Sequence, residues 1–511
     1  MQNFFDKLTE INDAINGFIW VKIGLVLLIG TGIIMTCVTK FFQISHLKTW
    51  WKATIGGIFT KEGGAKKKTN RQTISQFQAL CTALAATIGT GNIAGVSAAI
   101  CVGGPGAVFW MWLAAFFGMM TNFSENVLGI YFRRRNSAGE WSGGAMYYLK
   151  DGLGAKKHCK QLGAVLAVVF CIVCIFASFG IGNMGQINKI TLNIHSAFFQ
   201  GVDAPEIGGI SIINIIIGVA LMIIAAIIII GGLQRVAAVA ERLVPVMAAL
   251  YVIGALIVFF AHITEVGAVF ASIFRFAFGV KAVGGAVTGI AIKTVITQGG
   301  KRGVFSNEAG LGSSVMVHSA SNVNEPVKQG MWGIFEVFFD TFVVCTMTAV
   351  VVLSSGFIDL ETGLAVEGVN DATLVAQAFG NLFGRPGEMF VAVALLLFAF
   401  TTVLGWSQYG SKAVEYLFGE KAVKVYHVIF VLLIISGAVM TSSLAWDISD
   451  TFNGCMMIPN LIGVLTLAPL VGKITKNFVA RKIKGQDIEP MYSYDPELQK
   501  EAEENVRKGM D

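Results

Sequence analysis

Four consecutive small or polar residues interrupt an apolar segment that is long enough to cross a membrane. The segment reads TISQFQALCTALAATIGTGNIAGVSAAI over residues 73–100, and Gly89, Thr90, Gly91 and Asn92 lie near its centre. A helix that unwinds at such a point exposes backbone N–H groups at one end and C=O groups at the other. The polar run therefore predicts a broken helix whose backbone binds a ligand.

The two ends of this predicted break suit two different ligands. The amides of Thr90 and Gly91 would bind a carboxylate at the positive end of a helix dipole. The carbonyl oxygens of Ala85 and Ile88 would coordinate a small hard cation, for which neutral oxygen ligands are suited. A carboxylate bound beside a cation indicates an amino acid that binds together with Na⁺.

A second polar interruption lies much later in the chain, in AIKTVITQGGKRGVFSNEAGLGSSVMV over residues 291–317. Both interruptions contain Asn-x-Ala-Gly, at residues 92–95 and 307–310. Glycine-interrupted segments in corresponding positions of two inverted halves point to the binding site of a transporter. We expect this break at its small and polar residues, which are Gly299, Gly300, Gly303, Ser306 and Asn307. The alternative is that these glycines form the packing faces of ordinary helices.

The segment LLLFAFTTVLGWSQYGSKAV could complete the site. Thr401 and Thr402 offer two adjacent hydroxyls, and the carbonyl of Phe398 lies on the same helical turn. Trp406 falls four residues after Thr402, on the same face, where it could wall a small pocket. The alternative is that both hydroxyls bond to carbonyls of their own helix.

Acidic residues within the apolar segments are less informative. We expect Glu125, Glu241 with Arg242, and Glu336 with Asp340 to lie toward segment ends or to form structural pairs. A proton relay through Glu336 or Asp340 is the alternative. Asn183 and Gln186 could contact a bound zwitterion or bridge two helices.

Composition places the whole chain in a bilayer. Of the 511 residues, 54% are apolar and only 14% are charged, whereas soluble domains have about 25% charged residues. A soluble enzyme, a disordered chain and a nucleic-acid binder are therefore excluded, and a lipid bilayer is the expected surrounding. Hydropathy predicts eleven spans, at residues 17–39, 74–101, 105–131, 162–187, 209–230, 240–261, 285–318, 329–355, 388–414, 424–441 and 449–472.

The Lys and Arg residues predict the orientation. Because successive loops alternate across the membrane, most of these basic residues fall on one side, which is expected to be cytoplasmic. The N-terminus is then outside, and the C-terminus is inside. Basic runs such as residues 66–68 and 133–135 lie next to span ends and most simply fix this topology, so no nucleic-acid partner is expected.

The motifs TIGTGNIAGVSAAICVGGPGAVFWMW, SENVLGIYFR, GGAMYYL, GVFSNEAGLGS and the Gly-Trp pair at 405–406 resemble the alanine or glycine:cation symporter family. The resemblance extends over residues 17–472. It implies an all-α polytopic protein with the five-plus-five inverted repeat of the leucine transporter, one extra N-terminal helix and two broken helices, at the second and seventh spans. The implied divisions are an outer segment and extra helix (1–39), a basic cytoplasmic loop (40–72), two five-helix repeats (73–261 and 262–472) and a cytoplasmic tail (473–511).

The resemblance also implies the function and its residues. It implies sodium-coupled import of alanine or glycine across a bacterial-type plasma membrane, with Na⁺ as the coupling ion, no organic cofactor, no enzyme activity and no obligate protein partner. Proton coupling, a glutamine preference or, more remotely, a channel are the alternatives. The implied substrate contacts are Thr90, Gly91, Asn92, Gln186, Phe305 and Trp406. The implied sodium ligands are the backbone oxygens of Ala85, Ile88 and Phe398 and the hydroxyls of Thr401 and Thr402.

Overall fold

The structure is a computed structural model that describes residues 2–59, 73–202, 204–207, 209–278, 291–369, 373–440 and 444–509. The described chain is mainly helical, as the apolar periodicity predicts. Residues 60–72 of the expected basic loop and residues 285–290 of the expected seventh span lie outside the described residues.

Most of the expected spans are helices of membrane-crossing length. Among the described residues, eight helices are long and apolar enough, and two bent pairs raise this number to ten if each pair is one span. The expected total of eleven stays a prediction. The eight are Thr9–Val38, Gly106–Tyr131, Lys160–Phe198, Ile212–Ile229, Gly232–Ala261, Pro326–Leu353, Arg385–Phe418 and Glu420–Val439; the bent pairs are Gln76–Thr87 with Gly91–Gly103 and Asp447–Thr466 with Ala468–Ile483.

Shorter elements connect these spans. Two small antiparallel hairpins pair Arg134–Arg135 with Trp141–Ser142 and Glu206–Ile207 with Ile210–Ser211. The shorter helices are Phe42–Ser45, Leu47–Trp51, Lys52–Gly56, Gly57–Phe59, Ala145–Tyr147, Tyr148–Leu153, Val266–Phe276, Ile292–Asn307, Val315–His318, Leu374–Phe383 and Pro496–Arg507.

The second span breaks where the sequence predicts. Its first half is capped by Ser75, whose hydroxyl accepts the amide of Gln78 at 3.1 Å while the Gln78 side chain accepts the Ser75 amide at 3.1 Å. This half ends at Thr87, and Ile88 has an extended backbone. The second half begins at Gly91, and its axis is inclined by 54° to that of the first. The break therefore consists of residues 88–90.

The seventh span is also broken, but the expected position is wrong. The helix Ile292–Asn307 continues through Gly299, Gly300 and Gly303 and ends only where Glu308 adopts a left-handed conformation with φ 56°. The chain becomes helical again over Val315–His318. The break thus occupies residues 308–314.

Close packing explains why the three glycines do not end the helix. A Cβ on Gly299 would lie 2.3 Å from the carbonyl oxygen of Ala107, and a Cβ on Gly303 would lie 3.3 Å from the Cα of Met111. A Cβ on Gly300 would lie 2.5 Å from the Leu25 side chain. These glycines let the seventh span approach the first and third spans closely, so the alternative of a packing face is confirmed for them.

This packing predicts that Gly299→Ala destabilises the protein, because the new methyl group meets backbone that cannot turn away. We expect a loss of about 1–3 kcal/mol, which is typical of overpacking, and hence a lower melting temperature in detergent. The matched control is Gly267→Ala in the helix Val266–Phe276, where nothing lies within 4 Å of the added Cβ. Equal melting temperatures for the two variants would contradict the packing role.

Candidate functional site

The break in the second span meets the ninth span at a single hydroxyl. Thr402 Oγ1 lies 3.0 Å from the carbonyl oxygen of Phe398 in its own helix and 3.4 Å from the carbonyl oxygen of Ile88 in the break. Gly89 permits this approach, because a Cβ there would lie 2.4 Å from the same hydroxyl. Three of the expected sodium ligands therefore lie together.

The other two expected sodium ligands flank this point. Thr401 donates to the Phe398 carbonyl at 2.9 Å, and its hydroxyl also lies 3.4 Å from the sulfur of Met247 in the sixth span. Ala85 is fully buried in the last turn before the break. Just beyond Thr402, a Cβ on Gly405 would lie 2.6 Å from the Ala86 side chain, so the two spans are in close contact here.

The expected substrate contacts surround the other side of the break. The Thr90 amide donates to the side-chain oxygen of Gln186 at 3.4 Å, while the buried Thr90 hydroxyl has no hydrogen-bond partner among the described residues. Phe305 of the seventh span lies against Gly91, where an added Cβ would come within 3.1 Å of the ring. Gln186, Phe305 and the amide of Thr90 therefore converge on the same segment.

Trp406 lies beside the fourth span. A Cβ on Gly182 would lie 2.4 Å from the Cβ of Trp406, and the indole makes an edge contact with Tyr409 at a centroid distance of 5.4 Å. Gly182 belongs to the π-helical turn Gly180–Met184, which ends two residues before Gln186. The hydroxyl of Tyr409 is buried and has no hydrogen-bond partner in the described part of the chain. Trp406 of the ninth span thus contacts the part of the fourth span that lies just before Gln186.

Asn92 holds the break in shape from within. Its side-chain oxygen accepts the Gly89 amide at 2.9 Å. Its side-chain nitrogen donates to Asp340 Oδ1 in the eighth span at 2.6 Å. Asn92 therefore supplies an acceptor for a backbone N–H that the unwound segment leaves without a helical partner.

Asp340 is the residue whose role the sequence analysis missed. Its fully buried side chain accepts three hydrogen bonds. The donors are Asn92 beside the first break, the hydroxyl of Ser306 beside the second break at 2.9 Å, and the hydroxyl of Thr341 at 2.9 Å. It neither lies at a span end nor pairs with Glu336, so both of those expectations are wrong. Its position within an apolar span was the available signal, because ionisable residues there are functional by default.

The second break has polar partners of its own. The Ser313 hydroxyl donates to the carboxylate of Glu308 at 2.5 Å. Asn460 of the eleventh span donates to Glu125 and also to the carbonyl of Gly310 at 2.8 Å. Glu125 is 1% exposed and pairs with Asn460, which agrees with the expected structural pairing of this residue.

Comparisons with known proteins show the family of the chain. The family model described as "Sodium:alanine symporter family" matches residues 5–492. The chain belongs to this family. A sodium/alanine symporter from Methanococcus maripaludis is 42% identical over 91% of this chain and 96% of its own length. A probable sodium/glutamine symporter from Bacillus subtilis is 34% identical over 94% of this chain and 92% of its own length.

A solved structure is similar in fold. The crystal structure of MhsT in complex with L-phenylalanine aligns with a TM-score of 0.50 at 14% identity, over 80% of this chain and 99% of that one. The leucine-transporter fold implied by the sequence is thereby confirmed. Because it belongs to the sodium:alanine symporter family, the protein is a multi-pass membrane transporter of amino acids, not an enzyme.

The role of Asn92 in the break predicts a stability loss for Asn92→Ala. The variant removes the acceptor of the Gly89 amide and the donor to Asp340, and each buried group left unsatisfied costs about 1–3 kcal/mol. The matched control is Asn193→Ala, because within the described residues the Asn193 side chain donates only to the carbonyl of Lys189 in its own helix. Thermal unfolding in detergent measures the difference. A loss no greater than that of the control would contradict this role.

Proposed function

We propose that the protein imports a small neutral amino acid, alanine or glycine, together with Na⁺ by alternating access. The observation that carries the proposal is the Thr402 hydroxyl, which lies between the carbonyl oxygens of Ile88 and Phe398. These atoms belong to two separate spans, one of which is unwound at this point. A cation at this point would draw the two spans together.

The proposed sodium ligands are all neutral oxygen atoms. The backbone oxygens of Ala85, Ile88 and Phe398 and the hydroxyls of Thr401 and Thr402 would replace the water around Na⁺ without a carboxylate. Thr402 now donates its hydrogen to carbonyl oxygens, so the hydroxyl would rotate to present a lone pair to the ion. Sodium would thereby fix the break and complete the adjoining pocket.

The proposed substrate site uses the opposite end of the break. The amides of Thr90 and Gly91 would bind the substrate carboxylate, and Thr90 has an unpartnered hydroxyl in the same place. Asn92 would hold the unwound segment in the conformation that presents these amides. Gln186 would exchange its bond to the Thr90 amide for one to the bound zwitterion.

Two aromatic residues would set the size of the pocket. Phe305 of the seventh span lies against Gly91, and Trp406 of the ninth span lies against Gly182, four residues before Gln186. Together they would leave room for a side chain of one carbon or none. A glutamine preference is the second candidate, because a relative 34% identical to the chain is named a probable sodium/glutamine symporter.

The driving force is carried by the ion, since a zwitterion has no net charge. A potential of 100 mV supplies about 2.3 kcal/mol for each elementary charge. A tenfold sodium gradient adds about 1.4 kcal/mol. One ion could therefore sustain a substrate gradient of a few hundredfold at most.

The proposed orientation places the N-terminus outside and the C-terminus in the cytoplasm of a bacterial-type cell, with transport across its plasma membrane.

Uptake into reconstituted liposomes tests this proposal and its alternatives. We expect labelled alanine or glycine to accumulate under an imposed sodium gradient and a negative interior, and unlabelled small amino acids to compete. Accumulation driven by a proton gradient without Na⁺ would favour proton coupling. Stronger competition by glutamine would favour the second candidate. Flux that rises linearly with substrate, without coupling to an ion, would favour a channel.

The proposed sodium site predicts that Thr402→Val raises the sodium concentration for half-maximal uptake. Loss of one oxygen ligand to a charged group is worth about 1.5–3 kcal/mol, which corresponds to tenfold or more. The matched control is Thr191→Val, since the hydroxyl of Thr191, as far as the structure describes the chain, bonds only within its own helix, to the carbonyl oxygens of Ile187 and Asn188. An unchanged sodium dependence in a folded Thr402→Val variant would exclude Thr402 as a ligand.

A further inference from the structure

Two segments on the side of the protein proposed to be cytoplasmic contain basic residues and no acidic ones. Residues 39–59 follow the first span, and residues 468–484 follow the bend at the end of the eleventh. The whole chain, by contrast, has 38 basic and 32 acidic residues. The basic residues of the two segments are Lys40, Lys48, Lys52, Lys473, Lys476, Arg481, Lys482 and Lys484.

Both segments turn away from the spans that precede them. Lys40 and Phe41 adopt left-handed conformations, with φ 58° and 56°, and thereby redirect the chain after the first span. The helix Ala468–Ile483 is inclined by 59° to Asp447–Thr466. Neither segment therefore continues the direction of its span away from the membrane.

The two segments lie close to each other. A Cβ on Gly472 would lie 2.9 Å from Cγ1 of Val38, at the end of the first span. Farther along both segments, burial and the positive charge of Lys484 lower the pKa of His46. The exposed lysines of the two segments thus belong to one surface. We call this surface the basic platform and define it as Lys40, Lys48, Lys52, Lys473, Lys476 and Lys484.

The lysines of the basic platform have no acidic partner among the described residues. All six are exposed, and none of them takes part in the ion pairs of the described chain. The neighbouring Arg481 differs, because it binds Glu325 at 2.7 Å. Positive charges that share one surface repel each other and create a positive potential. The basic platform therefore favours an anionic partner.

Exposed apolar side chains run beside the lysines of the first segment. Their spacing of three or four residues places them along one side of the short helices between residues 42 and 51. Lys48 and Lys52 directly follow two of them. Apolar side chains flanked by lysines are typical of a helix that lies in the membrane interface. This apolar stripe consists of Phe41, Ile44, Leu47 and Trp51, which are 45–56% exposed.

The opposite side of the same segment packs against two membrane spans. The buried ring of Phe42 lies 5.2 Å from the ring of Phe123 in the third span. The ring of Trp50 lies 6.1 Å from that of Phe338 in the eighth span. The eighth span also carries Asp340, which connects the two breaks. A ligand that holds this segment in place would therefore stabilise the packing of the third and eighth spans.

We propose that the basic platform binds the headgroup of an anionic phospholipid, and that the bound lipid stabilises the folded protein. The lysines would contact the headgroup, while the apolar stripe would contact the acyl chains. A zwitterionic phospholipid has the same phosphate group but no net charge, so it would bind more weakly. A soluble phosphate ester lacks the acyl chains that the apolar stripe requires. The inference is independent of the transported substrate and of the coupling ion.

Thermal unfolding of the full-length protein in a neutral detergent tests this proposal. The melting temperature is followed while phosphatidylglycerol, phosphatidylcholine or glycerol phosphate is added. We expect phosphatidylglycerol to raise the melting temperature at a concentration about tenfold or more below that of phosphatidylcholine. Glycerol phosphate should have no effect. Equal effects of the two lipids would overturn the proposal, and so would an effect of glycerol phosphate equal to that of phosphatidylglycerol.

Lys48→Gln combined with Lys52→Gln tests the lysines beside the apolar stripe. Each lysine near an anionic headgroup is worth roughly fivefold in affinity, so the half-maximal concentration of phosphatidylglycerol should rise about tenfold or more. The matched control is Lys500→Gln with Lys508→Gln, which removes two exposed charges from the tail. We expect a wild-type value for the control. A wild-type value for the first variant, or an equal rise in the control, would overturn the proposal.

Lys476→Gln combined with Lys484→Gln tests whether the two segments form one binding site. These lysines belong to the second segment and are also exposed. We expect a rise in the half-maximal concentration similar to that of the first variant, because both pairs would face the same headgroup. A wild-type value would exclude a site shared by the two segments.

Tryptophan fluorescence locates the lipid without relying on a change in stability. Bromine atoms on the acyl chains quench the fluorescence of a nearby indole, and Trp51 is the tryptophan of the apolar stripe. We expect brominated phosphatidylglycerol to quench the wild-type protein more strongly than brominated phosphatidylcholine does. Trp51→Phe should remove most of this difference. An equal difference in the wild type and in Trp51→Phe would place the lipid elsewhere and overturn the proposal.

Discussion

The structure depends on one constraint, which is that unwound backbone within a membrane must find its hydrogen-bond partners inside the protein. In the second span, residues 88–90 leave the helical ladder, and side chains from three other spans surround them. Thr402 approaches the Ile88 carbonyl, Gln186 accepts the Thr90 amide, and Asp340 holds the Asn92 side chain. The fold around the break consists of the elements that supply these groups.

The same constraint relates structure to transport. Several of the groups that satisfy the break within the protein are also the groups proposed to bind a cation and a zwitterion. Binding would therefore replace internal hydrogen bonds without adding charged side chains. Asp340 also accepts a hydrogen bond from Ser306, which lies in the last helical turn before the second break. The side chain of Asp340 thus connects both unwound regions, so a conformational change in one region can alter the hydrogen bonds of the other.

The sequence predicted the membrane fold and the first break, because polar residues within an apolar segment can be recognised from the amino-acid sequence alone. The sequence misplaced the second break, because glycines such as Gly299 and Gly303 occur both where a helix ends and where a helix packs closely against another. Glu336 and Asp340 were considered as one pair, although they are four residues apart on the same span and face different partners. Only the three-dimensional arrangement separates Asp340, beside the first break, from Glu336, beside His318.

Equilibrium binding of alanine to the purified protein at varied sodium concentration is the most direct test of the central claim that an ion and a substrate share the first break. If both stabilise the same unwound segment, sodium must tighten alanine binding, and alanine must tighten sodium binding by the same factor. We expect this reciprocal coupling in sodium and its absence when potassium replaces sodium. An alanine affinity that does not change between the two salts would contradict the account.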